Sequence, residues 1–207
     1  MKKKLLIFDF DGTIADTLVV ALHILNEIGR DFKLPHLDRD QFIELKQKTV
    51  PELVQLSGLS WFQIPRFIKK ARNKFKAHLA EVYPVLGMPE VLAHLAKKKY
   101  RMGILTSNTK EGVQSFLENH QLQYFEFIFA PDSLFGKAKV IRKILSHEAL
   151  SPQEVIMIGD ELRDVEAANK AGIESIAVTW GFNTRQVLEQ GEPNHLVVNP
   201  SQLLKLF

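Results

Sequence analysis

From Met88 onward the apolar residues switch between two spacings. In "PEVLAHLAKK", "EGVQSFLENH", "KVIRKILSHEAL" and "DVEAANKAG" they recur every three or four positions, which predicts helices with one buried stripe. In "MGILT" (102–106), "FEFIFA" (125–130), "EVIMIGD" (154–160) and "ESIAVTW" (174–180) they form short, apolar runs, the pattern of strands buried on both faces. The N-terminal "KLLIFD" has the same strand signature. Helices alternating with such strands imply crossover units, hence an α/β, Rossmann-like fold with a parallel sheet and helices on both faces.

Between Asp16 and Pro84 the pattern changes to amphipathic helices alone, as in "TLVVALHILNEIG" and "WFQIPRFIKKARNKFKAHLAEV". This predicts a core formed by residues 1–15 and 85–207 and an α-helical insertion over residues 16–84. Pro84, Gly87 and Pro89 punctuate the return to the core, and Pro65 bends or starts a helix. Within "RFIKKARNKFK" (66–76), Phe67, Ile68, Ala71 and Phe75 are expected to pack inward, and Trp61 and Phe62 to anchor a helix.

The chain of 207 residues is 45% hydrophobic and 25% charged, an ordinary globular composition. It has no cysteine, which excludes a disulfide framework, a thiolate zinc site and a cysteine nucleophile, and fits a reducing compartment. The opening "MKKKLLIFDFDG" is broken by Asp9 before a signal-peptide core could be complete, and no run reaches the length of a membrane span. A cytoplasmic protein is expected. The net charge is +3, and residues 20–84 hold the basic excess, with eleven Lys plus Arg against seven Asp plus Glu. That surface could attract an anionic ligand, but no nucleic-acid partner is expected. The seven histidines (His23, His36, His78, His94, His120, His147, His195) show no metal-ligand spacing.

The stretch "FDFD" poses an electrostatic problem, because a strand's alternation places Asp9 and Asp11 on one face. Two like charges about 4 Å apart at an effective dielectric near 20 repel by about 4 kcal/mol. Other strand ends add to the density: "GILTS" ends at Ser107 and "VIMIGD" at Asp160, with Asp164 four residues on. Parallel strands present their carboxyl ends at one edge, so these residues share a crevice. Acids gathered there need a cation, and an all-carboxylate donor set suits Mg²⁺ with a phosphate completing the shell. An EF-hand reading of "DFDGTIADT" fails, since Gly12 stands at loop position 4 and Val20 at position 12.

In order and spacing, "DFDGT", "LTSN", a lysine ahead of a helix in "FGKAKVIRK" and "GDELRD" resemble the four motifs of the haloacid dehalogenase superfamily, specifically its phosphatases with a helical C1-type cap, of the phosphoglycolate phosphatase-like kind. The resemblance spans essentially the whole chain. It implies that residues 16–84 are a cap, that Asp9 is the nucleophile forming an aspartyl phosphate, and that Asp11 is general acid, then general base. It further implies that Asp9, Asp160 and the backbone carbonyl of Asp11 bind Mg²⁺ with support from Asp164. Gly12, Ser107, Asn108 and Lys137 would hold phosphoryl oxygens, with Lys139 the alternative to Lys137.

The resemblance also separates branches. Asp11 argues against dehalogenation, and Thr13, where phosphomutases carry valine, leans towards a phosphatase. A phosphomutase and a non-catalytic anion-binding protein remain alternatives. The expected partner is a small phosphorylated metabolite, phosphoglycolate-like or a sugar phosphate, with Lys46 and Lys48 of "KQKT" expected to meet a second anionic group. Nothing in the sequence marks either lysine as buried, and the oligomeric state is open.

Overall fold

A computed structural model describes residues 3–131 and 136–207. Among them, strands β1 (Leu5–Phe8), β2 (Arg101–Leu105), β3 (Phe127–Phe129), β4 (Val155–Gly159), β5 (Glu174–Val178) and β6 (His195–Val197) form one sheet. Its order is β3-β2-β1-β4-β5-β6, with every neighbouring pair parallel. The α/β fold expected from the apolar spacing is the one observed.

Strand β1 shows how the sequence builds both layers. Leu5 and Ile7 join Val155 and Met157 on one face, packed with Ile141, Ile144 and Leu145 of α7 (Lys137–His147) and Ala167 and Ala168 of α8 (Leu162–Ala171). Leu6 and Phe8 face the other way with Ile156 and Ile158, against Leu92 and Leu95 of α5 (Met88–Lys97) and Phe116 of α6 (Lys110–Asn119). All four β1 side chains are fully buried, each worth about 1.5–3 kcal/mol. A charge at any of them would leave one layer without its contact.

Chain order runs outward from β1 in both directions, to β2 and β3 on one side and, beyond β4, to β5 and β6 on the other. The direction of winding changes at β1, and the crevice at the carboxyl ends there is where such sheets bind ligands. Two edge elements differ from expectation. The run 125–130 yields only three strand residues, and β6 was not foreseen, since three residues with His195 exposed carry almost no periodicity. A short helix, α9 (Arg185–Glu189), lies between β5 and β6.

Between β1 and α5 the described elements are all helical, α1 (Leu18–Gly29), α2 (Arg39–Leu45), α3 (Val50–Ser57) and α4 (Gln63–His78) with two short 3₁₀ turns. Asp38 and Thr49 start α2 and α3 with reciprocal capping boxes, and Gly58 ends α3 in the left-handed conformation at φ 63°. Helices α1 and α4 pack together, bridged by the ion pair Glu27–Lys74, while Asp31 of the 3₁₀ turn after α1 pairs with Lys70 of α4. The two segments joining this region to the sheet run side by side, Asp16 N donating to Tyr83 O (2.9 Å) and Val85 N to Ile14 O (2.8 Å).

Pro65 lies in the first turn of α4, where its missing N–H costs nothing. Trp61 and Phe62 do not anchor the helix: they are 81% and 88% exposed, because they occupy the turn before Gln63 and fall outside its apolar stripe. The stripe itself, Phe67, Ile68, Ala71 and Phe75, is only half-buried. No helix among the described residues is long and apolar enough to cross a membrane.

Candidate active site

Asp9 directly follows β1, and its N–H still pairs with Ile158 O (2.8 Å), so the sheet fixes its backbone. Its Oδ1 accepts the Phe10 N–H (2.7 Å), leaving Oδ2 directed at Lys137. Beyond it the chain turns sharply, Ile14 N donating to Phe10 O and Gly12 N to Ala15 O, both at 2.9 Å. Gly12 has φ +74°, and a Cβ there would strike the Asp160 carboxylate, so the tight turn and the close approach both demand glycine.

Asp160 follows β4 and is fully buried. Its Oδ1 accepts the Thr13 hydroxyl at 2.6 Å and its Oδ2 the Phe182 N–H at 2.7 Å. Asp164, in the first turn of α8, accepts the Glu161 N–H through Oδ2 (3.2 Å), which caps the helix and aims Oδ1 at Lys137. Carboxylate oxygens of Asp9, Asp160 and Asp164 all lie within 4.8 Å of one another. Lys137, the first residue of α7 and 3% exposed, places Nζ 2.7 Å from Asp9 Oδ2 and 2.5 Å from Asp164 Oδ1. Lys139, two residues on, is exposed.

The carboxylate of Asp11 stands outside that trio. It is half-buried and accepts the Asn108 amide, whose Nδ2 lies 3.2 and 3.4 Å from its two oxygens. Asn108 is itself fixed at the tip of β2 by Thr106 Oγ1 and precedes Thr109, which caps α6. Ser107 lies beside it, 3.5 Å from Arg163 Nη2, and Arg163 pairs with Glu161. The four acids singled out in the sequence therefore share the crevice as three plus one.

Their environment leaves negative charge poorly compensated. Burial, then the neighbouring Asp9 and Asp164, push Asp160 up to about 8. Burial raises Asp9 to about 6 despite Lys137, and burial with Asp9 nearby raises Asp11 to about 7. For Lys137 burial disfavours the ammonium, yet Asp164 and Asp9 outweigh it and the pKa is raised. One buried lysine against a buried trio of carboxylates is the setting in which a divalent cation binds. The donors are all oxygen and converge, so they fit a hard cation.

The backbone carbonyls of the "KQKT" lysines accept from Asn183, Nδ2 lying 3.4 Å from Lys46 O and 3.2 Å from Lys48 O. Thr184 N also donates to Lys46 O (3.1 Å), and Asn183 Oδ1 accepts the Leu162 N–H at the start of α8 (2.8 Å). Lys46 is half-buried, with its pKa lowered by that burial against the pull of Asp160 and Asp16.

Sequence reasoning passed over Thr13 as an Asp160 partner, Arg163, and the "GFN" tip after β5, although that tip follows a strand end as the others do. It also separated His23 and His78, which α1 and α4 bring beside Glu27 with ligand atoms within 4.8 Å, Glu27 being paired with Lys74.

Comparison with known proteins agrees with this geometry. Residues 6–178 match the family described as haloacid dehalogenase-like hydrolase. A phosphoglycolate phosphatase of Synechococcus elongatus is 33% identical, over 97% of this chain and 95% of its own. The pyrophosphatase PpaX of Bacillus mycoides is 25% identical over 100% of this chain and 98% of its own. A crystal structure described as a predicted phosphatase from Clostridium acetobutylicum superposes with a TM-score of 0.87 at 24% identity, covering 100% of this chain and 98% of that one, which shows the shared fold.

Proposed function

The chain belongs to the haloacid dehalogenase-like hydrolase family, and from that membership and the site geometry we propose that it is a Mg²⁺-dependent phosphatase acting on a small phosphomonoester through an aspartyl phosphate on Asp9. The observation that carries the reading is Lys137 Nζ held between Asp9 Oδ2 (2.7 Å) and Asp164 Oδ1 (2.5 Å), with Asp11 kept apart on Asn108. One carboxylate is fixed as an ion beside a cation, and the other is placed to carry a proton.

In the first half-reaction an Asp9 oxygen attacks phosphorus, the bond to the leaving oxygen breaks, and Asp11 gives that oxygen its proton. In the second, water attacks the phosphorus of the aspartyl phosphate, Asp11 takes the water's proton, and the bond to Asp9 breaks. A pKa near 7 suits Asp11 to both directions. Ser107, the backbone at Asn108 and Gly12, and Lys137 would hold the phosphoryl oxygens, where charge accumulates in the transition state. Asp9, Asp160 and the Asp11 carbonyl would hold Mg²⁺ with Asp164 in support. When bound, the ion would neutralise the carboxylates and draw charge from the phosphoryl oxygens.

Residues 16–84 would act as a cap that closes over the leaving group and excludes water from the intermediate. The relatives named for phosphoglycolate and pyrophosphate set the first substrates to try. Phosphate release from these, a sugar phosphate and p-nitrophenyl phosphate, with and without Mg²⁺, tests the reading. Wild type should turn over only with the metal, and Asp9→Asn should fall to background. Metal-independent turnover, or an active Asp9→Asn, would overturn it.

A further inference from the structure

Above the phosphoryl site lies a cavity of about 300 Å³ whose two sides differ in chemistry. Its floor is the polar set Asp11, Ser107, Asn108, Glu161 and Arg163. Its roof is Phe67, Ile68, Ala71 and Phe75 of α4, with Leu25 of α1 and Val50 of α3, and Phe182 closes the core side. All seven apolar side chains are half-buried, and α4 has no fully buried residue although its apolar stripe is continuous. The stripe faces the cavity, and its own fold leaves it partly uncovered.

We propose that the natural substrate is a phosphomonoester whose alcohol portion is an apolar body, alkyl or aromatic, seated against the α4 stripe. This rests on the phosphatase reading above and adds the class of leaving group. The occupant follows from continuity: Asp11, Ser107 and Asn108 line the same space as Phe67 and Phe75, so that space is open to the alcohol portion of a phosphomonoester held by them. The space, about 300 Å³ and partly open to solvent, is large enough for a body the size of a hexyl or benzyl group. The cations lining it are already engaged, Arg163 with Glu161 and Arg72 with Pro131 O at 3.3 Å. Against Phe67, Ile68, Ala71 and Phe75 a carboxylate or a polyol would leave hydrogen bonds unmade.

Alkyl phosphates test this cleanly, because ethyl, butyl and hexyl phosphate share nearly the same leaving-group basicity and differ in apolar length alone. The kcat/KM should rise about fourfold per methylene up to hexyl, the ~0.8 kcal/mol of a buried CH₂, and hexyl phosphate should exceed phosphoglycolate. A flat series with measurable turnover, or phosphoglycolate well above hexyl phosphate, overturns the inference while leaving the phosphatase reading standing. No phosphate release from any ester would remove that reading, and the inference with it. Ala71→Phe, shown to be folded by its thermal transition, should lower the hexyl-to-ethyl ratio at least tenfold. An unchanged ratio would place the chain elsewhere and contradict the proposal.

Discussion

Lys137 Nζ sits 2.7 Å from Asp9 Oδ2, and the same ammonium touches Asp164 Oδ1 at 2.5 Å, all three side chains being buried. The contact spans the end of β1, the start of α7 and the first turn of α8, so one cation ties three separate elements at the head of the sheet. Removing it leaves the carboxylates facing one another.

Lys137→Met is therefore expected to abolish turnover and to destabilise the fold by on the order of 3–5 kcal/mol, the usual cost of unpairing a buried ion. The loss should be larger at pH 8 than at pH 6, because Asp9 and Asp160 can relieve it by protonation at the lower pH. Lys139→Met, at an exposed position, should change stability by less than about 0.5 kcal/mol. Urea titrations with parallel phosphate-release assays check both.

The raised pKa of Asp11 predicts a pH profile that depends on the leaving group. Without metal, burial and Asp9 hold its proton up to about 7, and kcat for an alkyl phosphate should fall as pH rises through the lower pKa that bound Mg²⁺ leaves it. p-Nitrophenyl phosphate, whose leaving oxygen needs no proton, should show a weaker decline. Asp11→Asn should cost the alkyl ester about 10²–10⁴-fold and the nitrophenyl ester much less.

Stability without metal should also depend on pH through Asp160. Its pKa is higher folded, about 8, than in an unfolded chain near 4, so the native state binds the proton more tightly. This group's contribution is thus fully present below about pH 4 and lost as pH rises to about 8. Calorimetry without metal should show the Tm of wild type falling relative to Asp160→Asn between pH 5.5 and 8. Added Mg²⁺ should restore more stability at pH 8, where fewer protons compete for the same oxygens.

Asn183 joins the helical region to the site by donating to Lys46 O and Lys48 O while accepting from Leu162 N. Asn183→Ala leaves Lys48 O and Leu162 N without that partner, while Lys46 O keeps the Thr184 N–H, at about 1–3 kcal/mol. It should change kcat and KM together, as loosening a closing element does. An unchanged KM with an unchanged thermal transition would show that the contact has no such role.

The sheet was legible because its strands are unbroken apolar runs whose alternate residues must serve two faces, as Leu5 and Leu6 do. That Asp9 and Asp160 meet was legible for the same reason, each being the first polar residue after a buried strand. The sequence favours Lys137 for its place after Gly136 but leaves Lys139 open, since a helix start two residues long has no period; burial and the contacts to Asp9 and Asp164 distinguish them. The short β6 lacked enough residues to show alternation. Trp61 and Phe62 misled because large aromatic side chains usually indicate packing, whereas here the turn leaves them in solvent. The link from Asn183 to Lys46 joins residues 137 positions apart through backbone carbonyls, which side-chain chemistry does not announce.

The central claim is that Asp9 carries the phosphoryl group during turnover. Acid quenching of the enzyme during steady-state hydrolysis, followed by peptide mass mapping, tests it most directly. A phosphoryl adduct on the peptide at Asp9, absent from Asp9→Asn and dependent on Mg²⁺, is the result expected. Rapid turnover with no adduct at Asp9, or an adduct on another residue, would contradict it.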